Sequence, residues 1–264
     1  NISLHQINHL DRIIKHGGIA FLIIAFTRVN EVYLLDASFM VEAYRKNDRK
    51  SLKYETIKEN GHLILFDCGE TIFHQILKED IINESINRID IIITHFHADH
   101  VGSLGSLIFF TRFKKVKDVN VIFPDVKMLN TFLDISGIDR NLYYGRKPSD
   151  MEYFLKEYAQ LHGDVVNNEI IPMPSFGYHL KFKEYNFFYS GDTCIINEDI
   201  VNKFNNNEID YIYHEVSNDG YKAHMDIDVL ASVLKKNRDR VYCMHLGDSM
   251  DLEKIKKYGF RSVR

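Results

Sequence analysis

Four side chains that can bind metal lie within six residues, in the sequence His95-Phe96-His97-Ala98-Asp99-His100. In extended or turn backbone, His95 and His97 point to the same side because side chains alternate along the chain. Asp99 and His100 fall in the next turn, which we expect to begin a helix running to Phe110. Two imidazoles can therefore serve one metal ion, and a carboxylate with an imidazole can serve a second ion. These ligands suit zinc, and also manganese or iron.

The apolar run Ile91-Ile92-Ile93 directly before these donors predicts a strand buried on both faces. A single His-x-His pair is more often part of a polar loop than a metal site. Four donors at the end of a buried strand have both the chemistry and the structural context of a metal site, and we therefore interpret the stretch as one.

Potential ligands or proton-transfer groups also follow four other apolar runs. They are Asp67 after 62–66, Asp192 after 187–189, the pair His214-Glu215 after 209–213, and His245 after 240–244. A lone histidine or a Gly-Asp turn at a strand end is weak evidence on its own. The repetition of an apolar strand, a polar strand end and then a helix predicts an α/β fold whose donors meet at one edge.

These stretches resemble the motifs of the metallo-β-lactamase superfamily, and most closely its ribonuclease Z branch with the phosphodiesterase relatives. The resemblance covers roughly residues 18 to 250. The other motifs that carry it are Ser175-Phe176-Gly177-Tyr178, Tyr189-Ser190-Gly191-Asp192-Thr193, His214-Glu215 and the later His224 and His245. The resemblance implies a four-layer αββα sandwich, the metallo-β-lactamase fold, with two metal ions at one edge between the sheets.

The resemblance also implies a role for each residue. His95 and His97 would bind the first metal; Asp99, His100 and His245 would bind the second, and Asp192 would bridge the two. In the catalytic set, His224 would protonate the leaving oxygen, Glu215 would position it, and Asp99 would accept a proton during attack. Asp67 would either orient a ligand histidine or cap the helix expected at 71–78.

One expected ligand is missing. The resembled family has a histidine a few residues before the Gly-Tyr pair, and without gaps this position is Ile171. Glu169, His162 and His179 are the nearby residues that could replace it, or the first site could lack a ligand. The sequence leaves these alternatives open.

Length and composition predict one soluble domain over residues 1–264, with elaborations at 36–61 and 125–161, the second of them mainly helical. The net charge of −4 gives no general attraction to a nucleic-acid backbone. Three widely spaced cysteines suggest reduced thiols and a cytoplasmic location. The apolar run 19–26 is too short to cross a bilayer and is expected to be a core strand, so no membrane partner is expected. The resemblance further suggests a homodimer.

The function expected from these features is hydrolysis of a phosphodiester in a small or cyclic nucleotide by a metal-activated hydroxide, with two divalent ions, Zn²⁺ first and Mn²⁺ second. A tRNA 3′ endonuclease like ribonuclease Z is the first alternative. It is disfavoured because only residues 179–190 separate Tyr178 from Gly191, which leaves no room for the long arm that holds tRNA. A non-catalytic nucleotide-binding protein with an incomplete metal site is the second alternative, supported by the missing histidine.

Overall fold

The computed structural model describes residues 4–15, 21–26, 31–36, 41, 61–83, 86–167, 169–183, 185–218, 223–247 and 250–263. Its helices are α1 (Leu4–Lys15), α2 (Ile72–Lys78), α3 (Ala98–Val101), α4 (Leu104–Phe113), α5 (Val126–Ile135), α6 (Glu198–Asn205), α7 (Ile227–Val233) and α8 (Leu252–Lys257). Nearly all of the elaboration predicted at 36–61 lies outside the described residues.

The strands are β1 (Phe21–Phe26), β2 (Glu31–Asp36), β3 (His62–Phe66), β4 (Arg88–Ile92), β5 (Asp118–Ile122), β6 (Tyr144–Arg146), β7 (Phe154–Ala159), β8 (Gly163–Val166), β9 (Glu169–Pro172), β10 (Phe176–Phe182), β11 (Tyr185–Tyr189), β12 (Tyr211–Glu215), β13 (Val241–Met244) and β14 (Arg261–Ser262). Short 3₁₀ turns occupy Arg140–Leu142, Pro148–Asp150 and Arg238–Arg240.

Two sheets carry the site. The first is parallel throughout, in the order β3-β4-β5-β6, and the second has the order β14-β13-β12-β11-β10-β7. In the second sheet β11, β12, β13 and β14 run parallel, whereas β10 is antiparallel to both β11 and β7. The hairpins β1-β2 and β8-β9 form separate two-stranded sheets.

Three apolar clusters separate four layers. Helices α2, α4 and α5 pack on one face of the first sheet, around Ile89 and Ile91 of β4. Ile92, on the opposite face of β4, meets Tyr178 and Leu180 of β10 between the two sheets. Helices α6, α7 and α8 cover the outer face of the second sheet. This arrangement confirms the predicted αββα sandwich, and it confirms that β4 is buried on both faces.

The alternation of side chains explains why β4 can face two cores at once. Ile89 and Ile91 point to the helices, whereas Asp90 and Ile92 point to the second sheet. The buried Asp90 carboxylate accepts hydrogen bonds from the Arg88 guanidinium and the Tyr153 hydroxyl, at 3.0 Å in each case. It also accepts one from Asn120 at 2.8 Å. These bonds offset the cost of burying the charge.

The prediction that residues 125–161 are mainly helical is wrong in the second half of that segment. Only α5 is an α-helix; β6 extends the parallel sheet beside β5, and β7 pairs with β10. Leu155 and Tyr158 are buried in the cores. Pairing with distant strands therefore decides the conformation of this segment against its local pattern.

The chain turns tightly between β10 and β11, as the sequence predicted, because Phe182 pairs with Tyr185. Among the described residues, none of the helices is sufficiently long and apolar to cross a lipid bilayer.

Candidate metal centre

The potential ligands meet at the edge where the parallel strands end. Asp67 follows β3, His95 follows β4, Asp192 follows β11, and His245 follows β13. Asp99 and His100 lie on α3. All six residues predicted to bind metal (His95, His97, Asp99, His100, Asp192 and His245) belong to two adjoining groups whose ligand atoms lie within 4.8 Å of one another.

The first group contains three histidines. The Nε2 atom of His95 lies 3.1 Å from Nδ1 of His97, which in turn lies 3.2 Å from Nε2 of His162. Nitrogen ligands at the usual zinc distance of about 2.0–2.1 Å in a tetrahedral site are roughly 3.3–3.4 Å apart. The three nitrogens therefore already have nearly the spacing of a zinc site.

Of the three residues that could replace the missing histidine, His162 is the one that lies in the first group. Strands β8 and β9 form a hairpin over residues 163–172 whose ends pair, Gly163 with Pro172, and Met173 donates a backbone hydrogen bond to the carbonyl of His162 at 3.0 Å. The hairpin therefore separates His162 from the Gly-Tyr strand in sequence while leaving them adjacent in space. Of the alternatives, Glu169 lies exposed on β9 and His179 bonds to Asn186, and neither belongs to these groups.

The second group contains Asp99, His100, Asp192 and His245. Nε2 of His100 lies 3.3 Å from Oδ1 of Asp192, and Nδ1 of His245 lies 3.2 Å from the same oxygen. Asp99 places Oδ2 3.5 Å from Nε2 of His245. Nε2 of His100 is buried and, within the described part of the chain, makes no hydrogen bond of good geometry, although Oδ1 of Asp192 is near it. A buried polar atom without a partner is costly, and a bound cation would satisfy it.

Asp192 faces both groups. Its Oδ1 atom contacts His100 and His245 of the second group, and its Oδ2 atom lies 3.9 Å from Nε2 of His162 in the first. The side chain is almost fully buried. One oxygen directed toward each group is the geometry required of a bridging carboxylate.

Asp67 fixes the orientation of His100. Its Oδ2 atom lies 2.8 Å from Nδ1 of His100, and its Oδ1 atom accepts the backbone N–H of Thr94 at 2.7 Å. Holding Nδ1 in this way leaves Nε2 of His100 to a metal. Asp67 therefore orients His100, a predicted ligand. The alternative role as a helix cap is wrong, because the residue that precedes α2 is Thr71.

Two glycines allow the loops of the site to approach closely. A Cβ atom on Gly69 would lie 1.9 Å from the carbonyl oxygen of Asp99. Gly191, with a φ of +59°, would place a Cβ atom 2.8 Å from the Thr94 side chain. The Asp-x-Gly and Gly-Asp patterns in the sequence thus follow from contacts that bring the ligands together.

Asp67 and His245 adopt left-handed backbone conformations, with φ of 59° and 56°. Such conformations are uncommon for residues other than glycine, and they persist where the surroundings hold them. Both residues stand at strand ends beside the cluster, so the fold holds unfavourable backbone geometry at the site itself.

The two groups differ in electrostatics. Burial lowers the pKa of His95 to about 2 and also lowers the pKa of His162, so both imidazoles are neutral and ready to bind metal. Burial alone would lower the pKa of His100, but the nearby carboxylates of Asp192 and Asp67 outweigh that effect and raise it to about 10. The hydrogen bond with Glu215 raises the pKa of His245 to about 9. The second group thus favours a positive charge, which a divalent cation can supply in place of protons.

The predicted proton-transfer pair lies next to Asp192. Nδ1 of His224 is 2.6 Å from Oε2 of Glu215, whose other carboxylate oxygen accepts the backbone N–H of Thr193. The bond to Glu215 raises the pKa of His224, which favours its protonated form. Nδ1 of His224 is occupied by this bond, so Nε2 is the nitrogen that can contact a bound small molecule.

The residues present therefore fit two divalent cations. His95, His97 and His162 would hold the first, and Asp99, His100 and His245 the second, with Asp192 between them. The six residues that the sequence predicts as ligands lie together in these groups, with His162 beside them, and their binding of metal stays a prediction. His162 was detectable as the histidine nearest upstream, and only the pairing of β8 with β9 distinguishes it.

Comparison with solved structures confirms the predicted fold. The metallo-β-lactamase fold protein YhfI from Bacillus subtilis matches with a TM-score of 0.56 and 16% identity, covering 75% of this chain and 82% of that one. A diphosphatase of the PhnP family matches with a TM-score of 0.56 and 16% identity, covering 77% and 78%. Human tRNase Z, short form, matches with a TM-score of 0.52 and 21% identity, covering 70% and 82%. At these identities the likeness establishes the fold.

The beginning of the chain is similar to a different family. The model for Recombination protein U matches residues 1–78. The Holliday junction resolvase RecU of Bacillus cytotoxicus is 46% identical over 72 residues, which are 26% of this chain and 35% of that protein. The chain thus spans about a third of the length of the curated relatives it matches. A single domain over 1–264 stays a prediction.

The family model that covers the site is a different one. Except for Asp67, every residue that orients or forms the metal groups lies beyond residue 78, outside the RecU match. The model described as Anti-Pycsar protein Apyc1 matches residues 51–263, which is most of the chain and includes all of these residues. The chain belongs to the Anti-Pycsar protein Apyc1 family.

Proposed function

We propose that this protein is a metal-dependent hydrolase that cleaves a phosphodiester bond in a small or cyclic nucleotide. The observation that carries the proposal is the Glu215–His224 pair at 2.6 Å, placed beside Asp192 and at the wall of a cavity. A protonated imidazole is needed when the leaving group is a sugar alkoxide, which departs poorly without a proton. It is of no obvious use to a protein that only binds its ligand.

Two divalent cations, with Zn²⁺ as the first choice and Mn²⁺ as the second, would supply a water molecule of lowered pKa and offset charge on the phosphate. Around them, Asp67 and Thr94 hold the ligand histidines in place. His224 donates its proton from Nε2 to the departing oxygen, and Glu215 stabilises the imidazolium. Asp99, whose side chain is 57% exposed, would accept a proton during the attack.

The cavity beside His224 supports a small substrate. Its volume is about 310 Å³, and its lining includes Glu215, His224, His245, Leu246 and Met250. This volume is at the lower end of the range for small-molecule sites, roughly 300–1,000 Å³. The mixture of proton-transfer groups with apolar side chains suits a base or sugar held next to the phosphate.

Both alternatives lose support. The tRNA endonuclease would need a long arm between β10 and β11, where Phe182 and Tyr185 are already paired. The non-catalytic binding protein rested on the missing histidine, and His162 fills that place in the first group. Its neutral, buried imidazole is a competent ligand.

The test combines metal analysis with three substrates. We expect two equivalents of Zn²⁺ or Mn²⁺ per chain, hydrolysis of bis-p-nitrophenyl phosphate, and faster turnover of a 3′,5′-cyclic nucleotide than of precursor tRNA. Turnover of precursor tRNA alone would favour the endonuclease. Metal-loaded protein that hydrolyses none of the three would overturn the proposal.

A further inference from the structure

Among the three histidines of the first group and His100, three have a partner at the ring nitrogen that faces away from the proposed metal position. Nδ1 of His95 lies 3.0 Å from Oγ1 of Thr94, and Nδ1 of His162 lies 3.1 Å from the carbonyl oxygen of Ala223. Nδ1 of His100 lies 2.8 Å from Asp67. Such partners fix the tautomer and the ring orientation that a metal requires.

His97 is the remaining case, and its outward nitrogen faces the inserted hairpin. Its Nδ1 atom lies between His95 and His162, at 3.1 and 3.2 Å, so Nδ1 is the nitrogen that faces the metal position. The opposite nitrogen, Nε2, lies 3.7 Å from Oδ1 of Asp164 on β8. We propose that Asp164 is a positioning residue for the first metal site, accepting a hydrogen bond from Nε2–H of His97 when the metal is bound.

The distance and the exposure of Asp164 are consistent with this role. The gap of 3.7 Å exceeds a hydrogen bond by about half an ångström, which a small side-chain rotation can close. The Asp164 side chain is 80% exposed and forms no other bond within the described part of the chain, so it is free to rotate.

The place of Asp164 in the fold strengthens the inference. It is the second residue of the hairpin, paired with Ile171 close to the end where Gly163 meets Pro172. Because His162 directly precedes that end, one short segment supplies both a ligand of the first group and the partner of another. The hairpin therefore does more than lengthen the loop after β7: it supports two of the three histidines.

The hairpin offers a matched control. Glu169 pairs with Val166 two residues farther toward the tip and is also exposed. Its carboxylate is on the same face of the hairpin as that of Asp164, because directly paired residues share a face and alternate residues return to it. Removing either charge changes the net charge equally, and only Asp164 is near His97.

The test measures metal affinity, so its result does not depend on the proposed phosphodiesterase activity. Metal-free wild type, Asp164→Asn, Asp164→Glu and Glu169→Gln are titrated with Zn²⁺ in competition with a chromophoric chelator. Loss of such a partner typically weakens metal binding about tenfold to a hundredfold. We expect that loss in Asp164→Asn for one of two equivalents, partial recovery in Asp164→Glu, and wild-type affinity in Glu169→Gln.

Two results would overturn the inference. One is an unchanged affinity in Asp164→Asn, and the other is an equal loss in Asp164→Asn and Glu169→Gln, which would indicate a general effect of charge. Imidazole ¹⁵N shifts of the Zn²⁺-loaded wild type give a second measurement. They should identify His97 as bound through Nδ1 with a proton on Nε2, and the opposite tautomer would also refute the role.

Discussion

Replacing His224 with alanine should separate proton donation from metal binding. Nδ1 of His224 is held at 2.6 Å by Glu215, which raises the pKa of the imidazole and favours a proton on Nε2. His224 lies at the cavity wall and belongs to neither of the two proposed ligand groups, although it also clusters with His162, Asp192 and Glu215. The variant should therefore keep its metal and lose the proton for the leaving group.

The size of the effect depends on the substrate. A positioned general acid contributes roughly 10²–10⁴-fold to rate, which is about 3–5 kcal/mol of transition-state stabilisation. A cyclic nucleotide expels an alkoxide and needs nearly all of this contribution. Bis-p-nitrophenyl phosphate expels a stabilised phenolate, so we expect a loss of about tenfold or less for that substrate.

The assay is kcat/KM for both substrates, with metal content measured on the same samples. His74→Ala, which removes an exposed histidine on α2, is the matched control and should behave as wild type. Equal losses on the two substrates would mean that His224 does not act as the acid. A fall in bound metal would mean that it acts as a ligand instead.

Three further outcomes follow from the geometry. In metal analysis, His162→Ala should bind one equivalent of Zn²⁺ fewer than wild type. Ile171→Ala, which changes the position expected from the ungapped alignment, should keep both equivalents. Two equivalents in His162→Ala would contradict the role of His162. Met250→Trp should fill much of the 310 Å³ cavity and raise KM for a cyclic nucleotide at least tenfold without changing metal content, and an unaltered KM would remove this cavity from the substrate site. Burial opposes ionisation of Asp90, yet its hydrogen bonds, of which that with His62 is the strongest, lower its pKa from 3.8 to about 2. The charge of Asp90 therefore stabilises the fold above pH 3.8, and this stabilisation is lost as the pH falls through 2. Denaturant unfolding of the metal-free protein should therefore show about 2 kcal/mol less difference between pH 5 and pH 2 in Asp90→Asn than in wild type, and parallel curves would disprove the role of the charge.

The sequence predicts well those parts of the site in which the donor residues directly follow one strand. A buried strand followed by donors, as at His95 and Asp192, is a local signal, and parallel strands bring their carboxyl ends to one edge whatever their order. Asp67 and Gly69 lie at the same edge of the sheet, in the loop after β3. This loop passes so close to α3 that glycine is required at position 69.

The parts that the sequence predicts poorly depend on pairing between distant residues. His162 can be identified only when β8 and β9 are known to pair. The inserted hairpin moves His162 away from the Gly-Tyr strand in the sequence, but its paired ends keep the two close together in the structure. The segment 144–159 fails for a similar reason, since Arg146 pairs with Ile122 and Leu155 with Leu180. No periodicity within the segment reports on those partners.

If two ions bind as proposed, the position of Asp192 predicts that they do not bind independently. The first ion to arrive would orient the carboxylate and neutralise part of its charge, leaving the other oxygen already aimed at the empty half. A titration should then depart from two identical independent events, and a chelator that removes one ion should loosen the other.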